Sequence, residues 1–278
     1  MKQQVSGINN KKPLISIVTA TYNCERYIDE CLKSVASQKS NDFLIEHIVI
    51  DGLSSDNTVE ILNKHKDVKW VSESDKGQSD GLNKGFLMAK GDWIMVLDGD
   101  DYLLPGSLKL FHKAIKKENV DIVYGHIKFV DENSKMIRKV ISTPYHFEYI
   151  VYGLAMPPSC GLLIRADFLK LNLFNTNHHY NMDTEWFLRC GESLKSKVVI
   201  GFTTAFRFWG ENKTSPLFFG NELPKEIKQE RYILDKTYMI PYKKSVSKFG
   251  IFRYAHYCYF KLKYYLSKVI FFIRLSNI

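Results

Sequence analysis

The run Asp98-Gly-Asp100-Asp101 packs three carboxylates into four residues, directly behind the apolar stretch Trp93-Ile-Met-Val-Leu97. Carboxylates this close repel one another, and a hard divalent cation is a common reason to tolerate the repulsion. Mg²⁺ takes oxygen ligands, typically one or two carboxylates, with substrate phosphates completing its shell. Gly99 between the acids lets the backbone turn and approach a ligand. Three earlier apolar stretches end in polar residues too: Thr19-Ala-Thr-Tyr22-Asn23, Asp51-Gly52 and Glu73-Ser-Asp75-Lys-Gly77. One such Asp is as readily a turn former or helix cap. Four strand ends of the same character describe one polar crevice.

The elements that must hold these residues follow from apolar periodicity. Leu14–Ala20, Ile45–Ile50, Val68–Ser72 and Trp93–Leu97 are short β-branched or apolar runs of strand length. Between them, Ile28, Cys31, Leu32 and Val35 recur at i, i+3, i+4 and i+7, the stripe of an amphipathic helix over Glu25–Gln38. Further helices are expected from Asp56, an N-cap residue, over Ser79–Ala89, and after Pro105. Strand and helix alternating at this spacing predict a mostly parallel central α/β sheet flanked by helices, whose ligands sit beyond the strands' C-terminal ends. Beyond it, Val120–Val130, Met136–Ser142 and Lys197–Phe208 read as strands, and Ala166–Leu171 and Asp183–Ser193 as helices. Residues 13–235 are expected to form one domain.

Composition excludes other classes. With 45% hydrophobic and 25% charged residues, the 278-residue chain can bury a large core, so global disorder is out. Five scattered cysteines show no zinc spacing and read as reduced, buried thiols. The start, MKQQVSGINNKK, lacks the apolar region of a signal peptide, and no run of about 18 apolar residues predicts a membrane span.

Four motifs, in order and spacing, resemble the family 2 glycosyltransferases, closest to the bacterial branch that builds surface polysaccharides. They are Ser16-Ile-Val-Thr-Ala-Thr-Tyr-Asn23, Asp51-Gly-Leu-Ser-Ser-Asp56-Asn-Thr58, Asp75-Lys-Gly-Gln-Ser-Asp-Gly-Leu-Asn-Lys-Gly85 and Gly91-Asp-Trp-Ile-Met-Val-Leu-Asp-Gly-Asp-Asp101. The resemblance covers roughly residues 13–205. It implies a GT-A fold, a nucleotide-diphospho-sugar donor (UDP-sugar by default) and Mg²⁺ or Mn²⁺ at a DxD site. On that pattern Asp100 is the metal ligand and Asp98 faces the ribose or donor sugar. Thr19, Tyr22, Asp51, Asp75 and Lys84 match positions around the nucleotide. Many relatives carry a second Asp, which contacts the base, where this chain has Gly52. Met182-Asp183-Thr-Glu185-Trp-Phe-Leu-Arg189 resembles the stretch that supplies the catalytic base. Asp183 is that base by the match, with Glu185 behind it. The alternative role for Asp183 is a helix cap. His178 and His179 read as surface-loop residues or as lining for the acceptor pocket, while Arg207 and Trp209, after the last strand, could reach the diphosphate or the acceptor if the tail folds back. The resemblance implies an inverting transfer to a glycan or polyprenyl-linked acceptor. A sugar nucleotidyltransferase would need a Gly-rich basic loop where Thr19–Glu25 has neither Gly nor Lys. A scaffold that has lost catalysis would have shed one of these acids.

The last segment, 236–278, differs from the rest. No Asp or Glu follows Asp235, whereas nine Lys or Arg do, and these account for the whole net charge of +9. Leu262, Tyr265, Leu266 and Val269 follow helical spacing among those cations, as do Ile251, Tyr254, Ala255 and Cys258. A basic amphipathic helical tail of this kind suits an anionic membrane surface, so a peripheral position on the cytoplasmic face of the inner membrane is expected. The neutral body, without a nucleic-acid motif, argues against nucleic acid as partner.

Overall fold

The computed structural model describes residues 12–116, 119–210, 212–213, 222–245 and 256–268. The chain alternates β1 (Leu14–Thr21), α1 (Ile28–Ala36), β2 (Leu44–Asp51), α2 (Thr58–Lys64), β3 (Val68–Ser72), α3 (Gln78–Met88) and β4 (Trp93–Val96). These four strands pair in parallel in the order β3-β2-β1-β4. The same sheet then continues through β8 (Leu163–Arg165), β6 (Ile122–Val130), β9 (Ser196–Arg207) and β5 (Tyr102–Leu103), with β7 (Met136–Val140) paired on β6. Here pairing is mixed: β8 runs antiparallel to both β4 and β6, whereas β6 and β9 are parallel. The parallel character expected of the sheet thus holds throughout its first half and, beyond it, for the β6–β9 pair.

Successive residues of β1 point to opposite sides, and both sides are buried. Val18 joins Ile48, Ile50, Leu82 and Phe86 on the α3 side. Ile15 and Ile17 join Ile28, Leu32, Val35 and Leu62 on the side of α1 and α2. A strand covered on both faces needs a nearly continuous apolar run, and Leu14–Val18 is one but for Ser16, whose buried hydroxyl donates to Glu46 (2.7 Å). The α1 stripe is buried as its spacing requires, with Ile28, Cys31, Leu32 and Val35 all inside. Helix α3 lies unusually close to the sheet because Gly85 has no side chain. A Cβ there would stand 2.3 Å from Val18 Cγ1.

Helices α4 (Ser107–Ile115), α5 (Phe147–Val151), α6 (Ala166–Leu171) and α7 (Met182–Cys190) complete the body. At the C-terminal end α8 (Lys225–Leu234) passes through a π turn into α9 (Ile240–Ser245). This helix runs straight across position 235. Leu234 lies in the core, and Tyr238 and Tyr242 pack on it while their hydroxyls donate to Glu185 and Glu148 (3.1 and 3.2 Å). A last helix, α10, spans 256–268. Three short elements, β5, β8 and α5, are too brief for periodicity to reveal. The five cysteines are unpaired, with Cys24, Cys31 and Cys160 buried.

Candidate active site

Strand β4 delivers the acidic turn to the crevice. Leu97 is fully buried, so the chain emerges from the core at Asp98. Gly99 serves packing rather than ligand approach: its missing Cβ would meet Thr21 Oγ1 at 2.7 Å, so glycine lets the turn lie against β1. Arg207, at the end of β9, holds the turn from beneath and is only 1% exposed. Its Nε–H donates to the Asp100 carbonyl (2.9 Å) and its main-chain N–H to Asp101 Oδ1 (2.8 Å). The rest of the guanidinium is taken up by the Asp131 carbonyl, Ser134 Oγ and Glu30. Arg207 therefore positions the acids and does not face the crevice. Trp209 acts from above, its indole N–H donating to Asp100 Oδ2 (2.9 Å).

Burial, with the Asp100 carboxylate beside it and Asp183 nearby, pushes Asp98 up to about 7. Burial likewise raises Asp100, against the Trp209 hydrogen bond, and pushes Asp101 far up. These are the energetics of a desolvated anionic cluster that a cation would relieve. Asp98 and Asp100 each spend one oxygen on a protein donor, Gln78 Nε2 (2.7 Å) and Trp209. No set of three or more His, Cys, Asp or Glu among the described residues could hold a metal alone. Two carboxylates without a full cage fit Mg²⁺ or Mn²⁺ held jointly with phosphate oxygens.

Opposite the acids stands the N-terminus of α3. Gln78 links Asp98 to Lys213, whose ammonium donates to Gln78 Oε1 (3.2 Å) and the His179 carbonyl (3.4 Å). Burial lowers Lys213, against the fields of Asp98, Asp75 and Glu230. Gln78 lies inside the third motif without a role of its own there, and Lys213 carries no sequence signal: a lysine in a polar stretch reads as solvated. Asp75 accepts the Gly77 N–H through Oδ1 (2.8 Å) at the start of α3. Asp183, in the first turn of α7, accepts the Thr184 N–H (2.7 Å). Burial raises it above the usual carboxylate range. The loop before it is pinned by Glu230 of α8, which accepts the main-chain N–H groups of His179 (2.7 Å), Tyr180 (3.0 Å) and Asn181 (2.9 Å).

Other expected residues fall differently. Tyr22 stands 65% exposed beyond β1, free to stack on a ligand. Thr19 does not reach the crevice. Strand β1 runs two residues further, to Thr21, so Thr19 is fully buried and its hydroxyl meets His47 Nε2 (3.0 Å). Asp51 is also fully buried, its carboxylate satisfied by the Ser54 N–H (3.0 Å), Ser54 Oγ and Ser72 Oγ (2.6 Å). It shapes the β2–α2 turn. The Lys84 ammonium is engaged by Glu73 (2.9 Å), Asp80 (3.6 Å) and the Ser74 carbonyl (2.7 Å). Glu185, the expected second base, is 1% exposed and held by Arg189 (2.8 Å) and Tyr238. His178 is buried, and His179 Nδ1 lies 3.0 Å from where a Cβ on Gly77 would stand.

A doubly covered sheet with an acidic turn at its C-terminal edge, faced by a second acid on a helix start, is the architecture of a GT-A sugar transferase. Residues 16–191 match the family model of glycosyl transferase family 2. The chain belongs to this family and is a glycosyltransferase. An uncharacterized glycosyltransferase of Methanocaldococcus jannaschii is 27% identical over 209 residues, 70% of this chain and 71% of that protein. Hyaluronan synthase of Pasteurella multocida is 30% identical over 194 residues, 68% of this chain. The match spans only 20% of the synthase. In fold, the chain is similar to S. aureus TarS 1–349 in complex with UDP-GlcNAc, with a TM-score of 0.60 at 20% identity over 84% of this chain and 73% of that one.

Proposed function

We propose that this chain transfers a sugar from a nucleotide-diphospho-sugar, with UDP as the default carrier, to a hydroxyl of a lipid-linked glycan in bacterial surface-polysaccharide assembly. The convergence of Asp98, Asp100 and Asp183 in one crevice carries the proposal. S. aureus TarS forms complexes with UDP and UDP-GlcNAc, and hyaluronan and chondroitin synthases are among the relatives, which supports a uridine donor and a polysaccharide product.

Asp183 takes the proton of the acceptor hydroxyl, and its raised basicity suits that role. The oxygen then bonds to the anomeric carbon as the bond to the diphosphate breaks on the opposite face, so the configuration inverts. Mg²⁺ or Mn²⁺, held by Asp100 with Asp98 beside it, would supply charge neutralisation for the leaving diphosphate. Gln78 and Lys213 add donors on the same side. Tyr22 offers a face for the base.

The decisive experiment measures UDP release from a panel of UDP-sugars with Mn²⁺ and an acceptor. Asp183→Asn is expected to lower transfer at least 100-fold, within the usual range for a general base, and to leave UDP affinity within about twofold. Full turnover by that variant would remove Asp183 as the base.

The cationic tail supports a place on an anionic leaflet. In α10, Tyr259, Leu262, Tyr265 and Leu266 are exposed, and Lys261, Lys263 and Lys268 lie on the same helix. No helix among the described residues is long and apolar enough to cross a membrane. The attachment proposed is peripheral and rests on the cations and exposed apolar side chains of this helix. Lys248, Arg253, Arg274, Ile251, Tyr254, Ala255 and Val269 lie outside the described residues.

A further inference from the structure

Arg207 is a cation closed in beneath the acidic turn, yet its guanidinium donates to none of that turn's carboxylates among the described residues. Nε–H goes to the Asp100 carbonyl (2.9 Å), and Nη1 to the Asp131 carbonyl (3.2 Å) and Ser134 Oγ (3.0 Å). The Tyr27 ring covers the guanidinium, with its centroid 4.4 Å from the guanidinium carbon. Among the described residues, the one carboxylate that the guanidinium meets is Glu30, through Nη2.

Glu30 stands in the first turn of α1, beside the buried stripe of Ile28, Cys31, Leu32 and Val35. By sequence alone it is an acid facing the helix dipole. The fold gives it a second task. Ser134, in the β6–β7 turn at a φ of 61°, bridges the pair, since its hydroxyl accepts from Arg207 Nη1 and donates to Glu30 (3.0 Å). The rest of α1 runs along the same acidic turn. The Cys31 thiol donates to the Asp98 carbonyl (3.6 Å), and Ser34 Oγ accepts the Leu103 N–H (3.0 Å).

A guanidinium withdrawn from water needs an anion. Asp100 and Asp101 are already bonded to Arg207, by a carbonyl and a main-chain N–H, so their carboxylates are the alternative counter-charge. Glu30 takes that part instead, and the turn keeps its negative charge for a ligand. We propose that Glu30 is a positioning residue for the metal. It neutralises Arg207 from α1, so that the cation beneath the turn holds the backbone of Asp100 without competing with Mg²⁺ or Mn²⁺ for the carboxylates. This inference rests on the reading of Asp100 as the metal ligand.

Titration of Mn²⁺ at fixed UDP, with free Mn²⁺ read by electron paramagnetic resonance, tests it without turnover. Glu30→Gln keeps the size of the side chain and an oxygen for Arg207, and removes the charge. Its Mn²⁺ affinity is expected to fall about tenfold, because an unbalanced cation under the site repels a divalent ion. Ser134→Ala takes a hydroxyl from the same bridge without changing its charge, and should hold Mn²⁺ within about twofold of wild type. Unchanged affinity in Glu30→Gln would overturn the inference and leave the metal site standing. A matching loss in Ser134→Ala would also overturn it, by tracing the effect to the geometry of the bridge. A Glu30→Gln chain that does not fold would do the same, since the pair would then serve the fold alone. A wild-type protein that holds no Mn²⁺ beside UDP would overturn the metal reading as well.

Discussion

Asp98, Asp100 and Asp183 share a physical condition, carboxyl groups withdrawn from water, although Asp183 comes from a distant part of the chain. For Asp183 the consequence is kinetic. A base must be unprotonated, so transfer should fall as pH drops through its raised pKa, and the acid limb should begin above the range of an ordinary carboxylate. A pH profile of kcat/KM measures that limb. His47 shows the opposite case, away from the chemistry. Burial holds it down to about 3 from 6.5, so the folded state keeps it neutral while the unfolded chain takes up a proton. Stability should be complete above about pH 6.5 and decline toward about pH 3, by up to ~1.4 kcal/mol per pH unit. Urea unfolding at pH 7, 6 and 5 should show that slope in the wild type and a shallower one in His47→Gln.

At the level of elements, each loop at the crevice is secured by something remote in sequence. The β4 turn rests on Arg207 from β9, and the β1–α1 loop is stitched to the β2–α2 loop by Asn23, whose Oδ1 accepts the Ser55 N–H (2.8 Å). The loop before α7 hangs on Glu230. Glu230→Ala frees three main-chain donors at once and should lower kcat at least tenfold, while UDP affinity stays within about twofold. Glu230→Gln keeps an acceptor and should recover most of the rate. A fall in UDP affinity matching the fall in kcat would mean that α8 supports the donor side instead. Helix α8 lies beyond residues 16–191, the part matched by the family model, yet it sets where Asp183 stands.

For the whole molecule, charge is divided between a neutral body and a basic C-terminal segment. Helix α10 is tied to the body at one side, where the Tyr152 hydroxyl meets His256 Nδ1 (2.8 Å) and Phe260 is buried near Tyr149. The other side exposes Tyr259, Leu262, Tyr265 and Leu266. Each basic residue near an anionic surface contributes about 1 kcal/mol. Co-sedimentation with vesicles containing anionic lipid should therefore capture the full chain at low salt and release most of it at 0.5 M NaCl, where screening is short-ranged. Neutral vesicles should retain little. Equal retention on both would place the attachment in the apolar face alone.

Much of this was legible from one dimension. Apolar runs and the α1 stripe announced the parallel half of the sheet, because burial on both faces leaves no freedom in residue type. The acidic turn announced the crevice, because adjacent carboxylates need a reason to coexist. Strand pairing in the second half could not be foreseen, since β5 and β8 are only two and three residues long. Nor could the fate of each polar side chain. Thr19 and Asp51 carry the types expected of a binding site, yet one hydroxyl is turned to His47 and one carboxylate to two serines. Gln78 and Lys213 read as ordinary polar residues and face the site, and Glu230 pins the loop beside it. Residue type and spacing determined which chemistry the chain could hold. Which side chains perform it depended on where strands end and which partners burial brings within hydrogen-bond reach, and only the folded chain decides that.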